Sequence, residues 1–185
     1  MTRFIAVLAV LTVLAGCAAY SLVDAKRQTI GDAYTVQPSI QWSKADADKV
    51  EIWTVDGPDL EMIRFFRGLS DGDRLFSAKD DVKLPTYNPD MKASEIMEFV
   101  VDSIARAGAG NVDGTALRPA QFGTVPGFRF DLSFTSGDGL WFDGLAIGAT
   151  IDDKLHLILY TGARQHYFPK YRDEVERMIG TIETT

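Results

Sequence analysis

The sequence predicts an α+β domain, an antiparallel sheet of about six to seven strands flanked by two main helices. Three observations lead there. Residues 91–107 and 168–182 each carry one apolar stripe at helical spacing, four strand-like segments run consecutively between them, and those strands are joined by connections of hairpin length. Strands linked by short turns pair antiparallel, and a sheet with an apolar face needs helices to cover it.

Tyr34-Thr35-Val36-Gln37 begins an extended segment that reaches Pro38, and Ile40 and Trp42 continue its apolar alternation. Pro38 has no N–H to donate to a ladder, which implies an edge strand or a bulge. Residues 50–54 (VEIWT) form a second strand, closed by the turn sequence Asp56-Gly57-Pro58. Residues 60–67 (LEMIRFFR) fit two periods: Leu60, Ile63 and Phe66 match a helix, Ile63 and Phe65 a strand. Their length matches 50–54 across a tight turn, so a strand is expected. Residues 70–90 read as a long irregular connection.

Over 91–107, Ile96, Met97, Val100, Val101 and Ile104 make one stripe, with Glu95, Glu98, Asp102 and Arg106 elsewhere. Gly108 and Gly110 lie where that helix would end. Strands are expected at 117–122 and at 128–134, where Phe128, Phe130, Leu132 and Phe134 alternate with polar residues. Residues 140–151 and 154–161 then form a hairpin across Asp152-Asp153. The chain closes on a helix whose apolar face is Phe168, Tyr171, Val175, Met178, Ile179 and Ile182, with Pro169 and the acidic Asp173 and Glu174 towards its start.

The amino terminus is organised differently. Arg3 precedes an apolar run, FIAVLAVLTVL over residues 4–14, which at about 1.5 Å per residue is far too short to cross a hydrocarbon core about 30 Å thick. It reads as a signal peptide. Leu14-Ala15-Gly16-Cys17 follows and resembles the lipobox of bacterial lipoproteins. That resemblance implies diacylglyceryl transfer to the Cys17 thiol, cleavage before Cys17, and commonly acylation (palmitate being typical) of the new amino terminus. Residues 1–16 are thus expected to be a lipoprotein signal peptide, 17–33 a lipidated tether without sustained periodicity, and 34–185 a single globular domain. Cys17 is the only cysteine of the 185-residue chain, so no intramolecular disulfide is possible, and lipidation accounts for a lone thiol in an exported protein. Ala18 rather than aspartate follows it, which in the lipoprotein pattern points to the periplasmic face of the outer membrane.

Removal of residues 1–16 takes away only Arg3 among charged residues, leaving 18 basic against 26 acidic side chains, a net charge of −8 with histidine neutral. That balance argues against nucleic acid, whose binding needs clustered Lys and Arg, and against docking on anionic lipid through a basic surface. The expected partners are the membrane, through lipid on Cys17, and an envelope protein. No cofactor is implied.

Gly68-Leu69-Ser70-Asp71-Gly72 matches the G-x-S-x-G pattern that presents a nucleophilic serine in α/β-hydrolases, and His156 and His166 lie downstream. The match supplies the alternative reading, a small serine hydrolase using Ser70. Its context is poor: residues 73–81 lack helical periodicity, and Ser-Asp-Gly is a good turn sequence. His156 is expected on the face of Ile158 and Tyr160, hydrogen-bonded beneath a helix. No metal site is expected: the histidines are ten residues apart, and Asp71-Gly72-Asp73, Asp113-Gly114 and Asp138-Gly139 lack EF-hand spacing and read as turns. The aromatic stretch from His166 to Tyr171, with Trp141 and Phe142, is expected to pack the last helix on the sheet, with an exposed recognition patch as the alternative.

The order of elements resembles the PsbP-like α/β/α sandwich, the fold of the photosystem II extrinsic P subunit and of several small bacterial lipoproteins. The resemblance rests on YTVQPSIQW (34–42) and on Pro126-Gly127-Phe128-Arg129-Phe130 through residues 155–160 and Tyr167 to the amphipathic helix. It is also similar to uncharacterised proteobacterial lipoproteins, and the reading that follows is a membrane-anchored envelope protein with an accessory or binding domain.

Overall fold

A computed structural model describes residues 20–77 and 82–184. Cys17, the leader and the expected cleavage site lie outside the described residues. The elements are β1 (Ser21–Val23), β2 (Gln28–Ile30), β3 (Tyr34–Val36), β4 (Trp42–Ala47), β5 (Val50–Thr54), β6 (Glu61–Leu69), α1 (Ala93–Arg106), β7 (Gly110–Phe122), β8 (Val125–Thr135), β9 (Trp141–Ile151), β10 (Lys154–Ala163), α2 (Tyr167–Ile179) and β11 (Glu183–Thr184). Eight strands form one antiparallel sheet in the order β1-β4-β5-β6-β10-β9-β8-β7, and β11-β3-β2 form a second, small sheet. The α+β class with two helices is as expected, and the main sheet has more strands than the six to seven anticipated.

The period of two in each strand sorts side chains into two cores, one per face. On one face, Trp42, Trp53, Phe65, Ile158 and Tyr160 meet α2 and the small sheet. On the other, Phe66, Phe130, Leu132, Leu157 and Leu159 meet α1 through Ile96, Phe99, Val100 and Ile104. The ambiguous 60–67 segment is strand β6, because it must feed both cores: Ile63 and Phe65 go one way, Phe66 and Leu69 the other. The hairpin between β9 and β10 turns on Asp152 and Asp153, at φ +50° and +59°, the left-handed pair that a two-residue hairpin of matching twist requires.

Polar pairs fix α2 on its face. Arg129 of β8 holds Glu176 through two hydrogen bonds of 3.0 and 2.6 Å. Asp56, in the β5–β6 turn, accepts from Lys170 Nζ at 2.6 Å and from the Tyr171 hydroxyl at 2.7 Å. At the start of α1, the Lys92 N–H donates to the Glu95 carboxylate at 2.7 Å, satisfying one of the free amides there.

Three expectations are corrected. The tether expected over 17–33 contains β1 and β2, with Val23 and Ile30 buried. Each strand is three residues long with one buried side chain, too little to produce a periodic signal, and each depends on a partner further along the chain: Ser21 pairs with Lys44, Gln28 with Val36. The continuous segment read across 34–42 is two strands in different sheets, parted at Pro38, where the chain has no N–H to continue a ladder. The strand expected at 117–122 begins at Gly110. Two register shifts, with Asn111 at φ +50° and Ala116 at φ +53° inside them, break its alternation and conceal its length.

Two glycines of this region test the packing. A Cβ on Gly127 would stand 2.3 Å from the Gly148 carbonyl oxygen, whereas one on Gly137 would meet nothing within 4 Å. Gly127→Ala should lower the unfolding free energy in urea by about 1–3 kcal/mol, and Gly137→Ala should change it by less than about 0.5 kcal/mol. Equal effects would show that β8 and β9 do not approach as described.

Candidate functional site

Helix α1 lies over β7 and β8 and leaves the β5–β6 half of its face to the connection that follows β6. Between that connection and the strands is a cavity of about 760 Å³, within the range of small-molecule sites. The cross-strand neighbours Val50–Phe66 and Ile52–Arg64 line its sheet side, and Leu75 and Phe76 close it from the connection. Val50, Ile52 and Phe76 are partly exposed apolar surface.

The charges are unevenly matched. Lys49, at the β4–β5 turn, pairs with Asp73, whose carboxylate also accepts the Ser70 N–H at 2.6 Å. Partial burial works to raise the Asp73 carboxyl, but the bonds from Lys49 and Ser70 outweigh it and hold the group below its ordinary range. Arg64 has no such partner. It projects from the middle of β6 into the cavity, its guanidinium 5.5 Å from the centre of the Phe76 ring, and no carboxylate among the described residues pairs with it. Desolvation pulls its pKa down to about 10, so it remains a cation at neutral pH. Exposed Arg74 adds a second positive charge at the cavity. Sequence reading passed over Arg64 because the face of 60–67 was undecided. The available signal was a single arginine between Ile63 and two phenylalanines.

The sequence candidates fall elsewhere. Ser70 follows the end of β6 in a turn, with its carbonyl accepting the Asp73 N–H at 3.0 Å, and no helix begins between residues 71 and 77. A nucleophile elbow needs that helix. His156 is on the face of Ile158 and Tyr160, as expected, but it is covered by the small sheet: Tyr34 meets it edge-on at 6.0 Å between ring centres. The hydrogen bond expected for it is missing at Nδ1, which is buried without a partner. Its ring lies against Gly68, where an added Cβ would come within 3.1 Å of Cε1 and press on the ring, on a backbone at φ +79° that larger residues rarely adopt. His166 is exposed at the start of α2. Ser70 and the histidines are therefore not joined in a hydrogen-bonded relay at Nδ1 of His156. Among the described residues, no group of three or more His, Cys, Asp and Glu is placed to hold a metal.

Of the Asp-Gly pairs, Asp113-Gly114 lies inside β7 rather than in a turn, whereas Gly72 and Gly139 do occupy turns, at φ +80° and +86°. The aromatic stretch divides. Phe168 stacks on Tyr160 at 5.1 Å, Tyr171 is buried, and Phe142 stacks on Phe134 at 5.4 Å. Trp141 remains 41% exposed beneath the Arg164 guanidinium.

Burial first, then the ammonium of Lys154, lowers the His156 pKa against a smaller opposing pull from Asp152. A histidine kept neutral in the fold contributes stability that is present above its unfolded pKa of about 6.5 and is lost as pH falls through the lowered folded value. Unfolding free energy should therefore drop more steeply from about pH 7 to about pH 5 in the wild type than in His156→Gln. Parallel curves in denaturant titrations would assign the titration to another group.

No protein-family model matches the chain, and no curated protein matches it. Among solved structures, it is similar to the solution structure of cyanobacterial PsbP (CyanoP) from Synechocystis sp. PCC 6803, with a TM-score of 0.55 and 14% identity over 92% of this chain and 95% of that one. At that identity the likeness shows the fold alone: an α+β domain of the PsbP-like kind.

Proposed function

We propose that the protein is a membrane-anchored envelope lipoprotein whose domain is an accessory or binding module facing the periplasm, with the outer membrane favoured over the inner. The observation that carries this reading is Leu14-Ala15-Gly16-Cys17 at the end of a short apolar run behind Arg3. Two or more acyl chains at about 0.8 kcal/mol per buried methylene anchor a protein stably where one does so marginally. Among the described residues no helix is long and apolar enough to cross a membrane. That is compatible with an anchor made of lipid, and it says nothing about barrels.

The fold sharpens the picture. Strand β1 begins at Ser21 and is paired with β4, so four residue steps separate the proposed lipid from the sheet. Extended chain covers at most about 14 Å in that distance. The β1 edge would be held against the bilayer surface, not released on a tether of seventeen residues. Binding is favoured as the role because the cavity over β5 and β6 presents apolar walls and a cation that no carboxylate among the described residues pairs with.

Cys17→Ala tests the anchor. The variant should accumulate as unprocessed precursor or appear as soluble protein, and it should fail to incorporate labelled palmitate. A cleaved Cys17→Ala product that still fractionates with membranes would overturn the reading.

A further inference from the structure

We infer that the cavity over β5 and β6 binds a small amphiphilic anion, its oxyanion held by Arg64 and its apolar body set against Val50, Ile52 and Phe76. The inference rests on the binding role proposed above and names the class of ligand. Its first support is geometric: Arg64 is brought into the cavity by the register of β6, opposite Ile52, so its charge is fixed at the wall instead of reaching bulk water from a flexible loop.

Its second support is the contrast with the other arginines that pack against the sheet. Arg129 has Glu176 at 2.6 Å, Arg67 has Asp46 at 3.0 Å, and Arg164 has Asp143 at 2.7 Å. Among the described residues Arg64 has only the face of Phe76. A guanidinium offers five donors in a planar fork that matches carboxylate and phosphate, and none of the described residues engages that fork with an oxygen. The described acidic residues at the cavity, Asp48 and Asp73, do not answer it. Asp73 is engaged by Lys49 and the Ser70 N–H, and Asp48 stands exposed in the β4–β5 turn. Exposed Arg74 reinforces the preference for negative charge.

The apolar part of the ligand follows from the remaining walls. Val50, Ile52 and Phe76 leave apolar surface exposed within the cavity, which a purely ionic ligand such as free phosphate would not cover. An oxyanion on an apolar body uses both features at once. Such a group comes either from a membrane lipid or from a soluble compound, and the chemistry that binds it is the same.

Titration calorimetry on the full-length protein in phosphatidylcholine nanodiscs, with empty nanodiscs as control, tests this. Phenyl phosphate should bind at least about tenfold more tightly than phenol, the typical worth of a hydrogen bond to a charged group, and more tightly than inorganic phosphate. Arg64→Met should lose about that factor without a lower melting temperature, since it removes an unpaired charge and not a structural ion pair. Arg74→Gln, at an exposed position where folding is not at stake, should weaken phenyl phosphate several-fold. Phosphatidic acid added to the nanodiscs should compete with phenyl phosphate if the source is a lipid, and leave it unaffected if the source is soluble; either result supports the site. Equal affinity for phenol and phenyl phosphate, or undiminished binding in folded Arg64→Met, would overturn it. Phenyl phosphate binding and its loss in Arg64→Met are read whether or not the protein is attached to the nanodisc, so a failed anchor affects only the phosphatidic acid comparison and is read separately from failure of the site.

Discussion

Strand β10 is the constraint on which the architecture turns. It lies between β6 and β9, and all its residues from Leu155 to Ala163 are buried. Leu155, Leu157 and Leu159 enter the core beneath α1, while Ile158 and Tyr160 enter the core beneath α2. A slip of one residue would exchange the two sets and place both cores out of register with their helices. Pairing with β10 also fixes β6, from Glu61 opposite Gly162 to Leu69 opposite Leu155. The position of Arg64 is therefore inherited from the centre of the sheet, not chosen locally.

The cavity is a consequence of how the helices divide the sheet. On one face, α2 lies over β9 and β10, and the small sheet helps to complete its cover. On the other, α1 lies over β7 and β8 at one end. One helix about 10 Å across cannot cover eight strands spaced about 4.8 Å apart. The connection after β6 must span the remainder, and its described residues do so with Leu75, Phe76 and Tyr87 and carry no helix or strand. Irregular cover over a regular floor leaves space, and the charges of Lys49, Arg64 and Arg74 collect around it.

How much of this was legible in the sequence depends on the length over which a pattern repeats. The stripes of α1 and α2, the alternation Phe128-Phe130-Leu132 and the β9–β10 hairpin each persist long enough to be read. Strands β1 and β2 do not, since one buried residue apiece makes no period, and β7 hides behind its own bulges. The candidate site was less legible than the fold. G-x-S-x-G drew attention to Ser70, where Gly72 serves a turn and Gly68 lies within β6 against His156, while Arg64 looked like one more charge in a mixed segment. Its meaning depends on which face it takes and on which carboxylates reach it, and both are settled by residues distant in the chain.

The energetics of Arg64 set it apart from the rest of the molecule. Among the described residues, two of the three buried carboxylates are paired with a cation as well as hydrogen-bonded: Glu51 has the Trp53 indole at 2.6 Å and Lys44, and Glu174 has the Ser39 N–H at 2.7 Å and Arg177, while Glu61 is held through one oxygen by the Thr54 hydroxyl and the backbone of Asp56 and its other oxygen is buried without a partner. Desolvating an ion costs several kcal/mol, and a hydrogen-bonded partner is the usual way to offset it. The face of Phe76 returns about 0.5–2 kcal/mol. A bound oxyanion would supply the remainder of the offset. Where Arg129, Arg67 and Arg164 are each matched by a carboxylate, Arg64 stands at the wall of an apolar hollow with no carboxylate among the described residues, and the partner can arrive from outside.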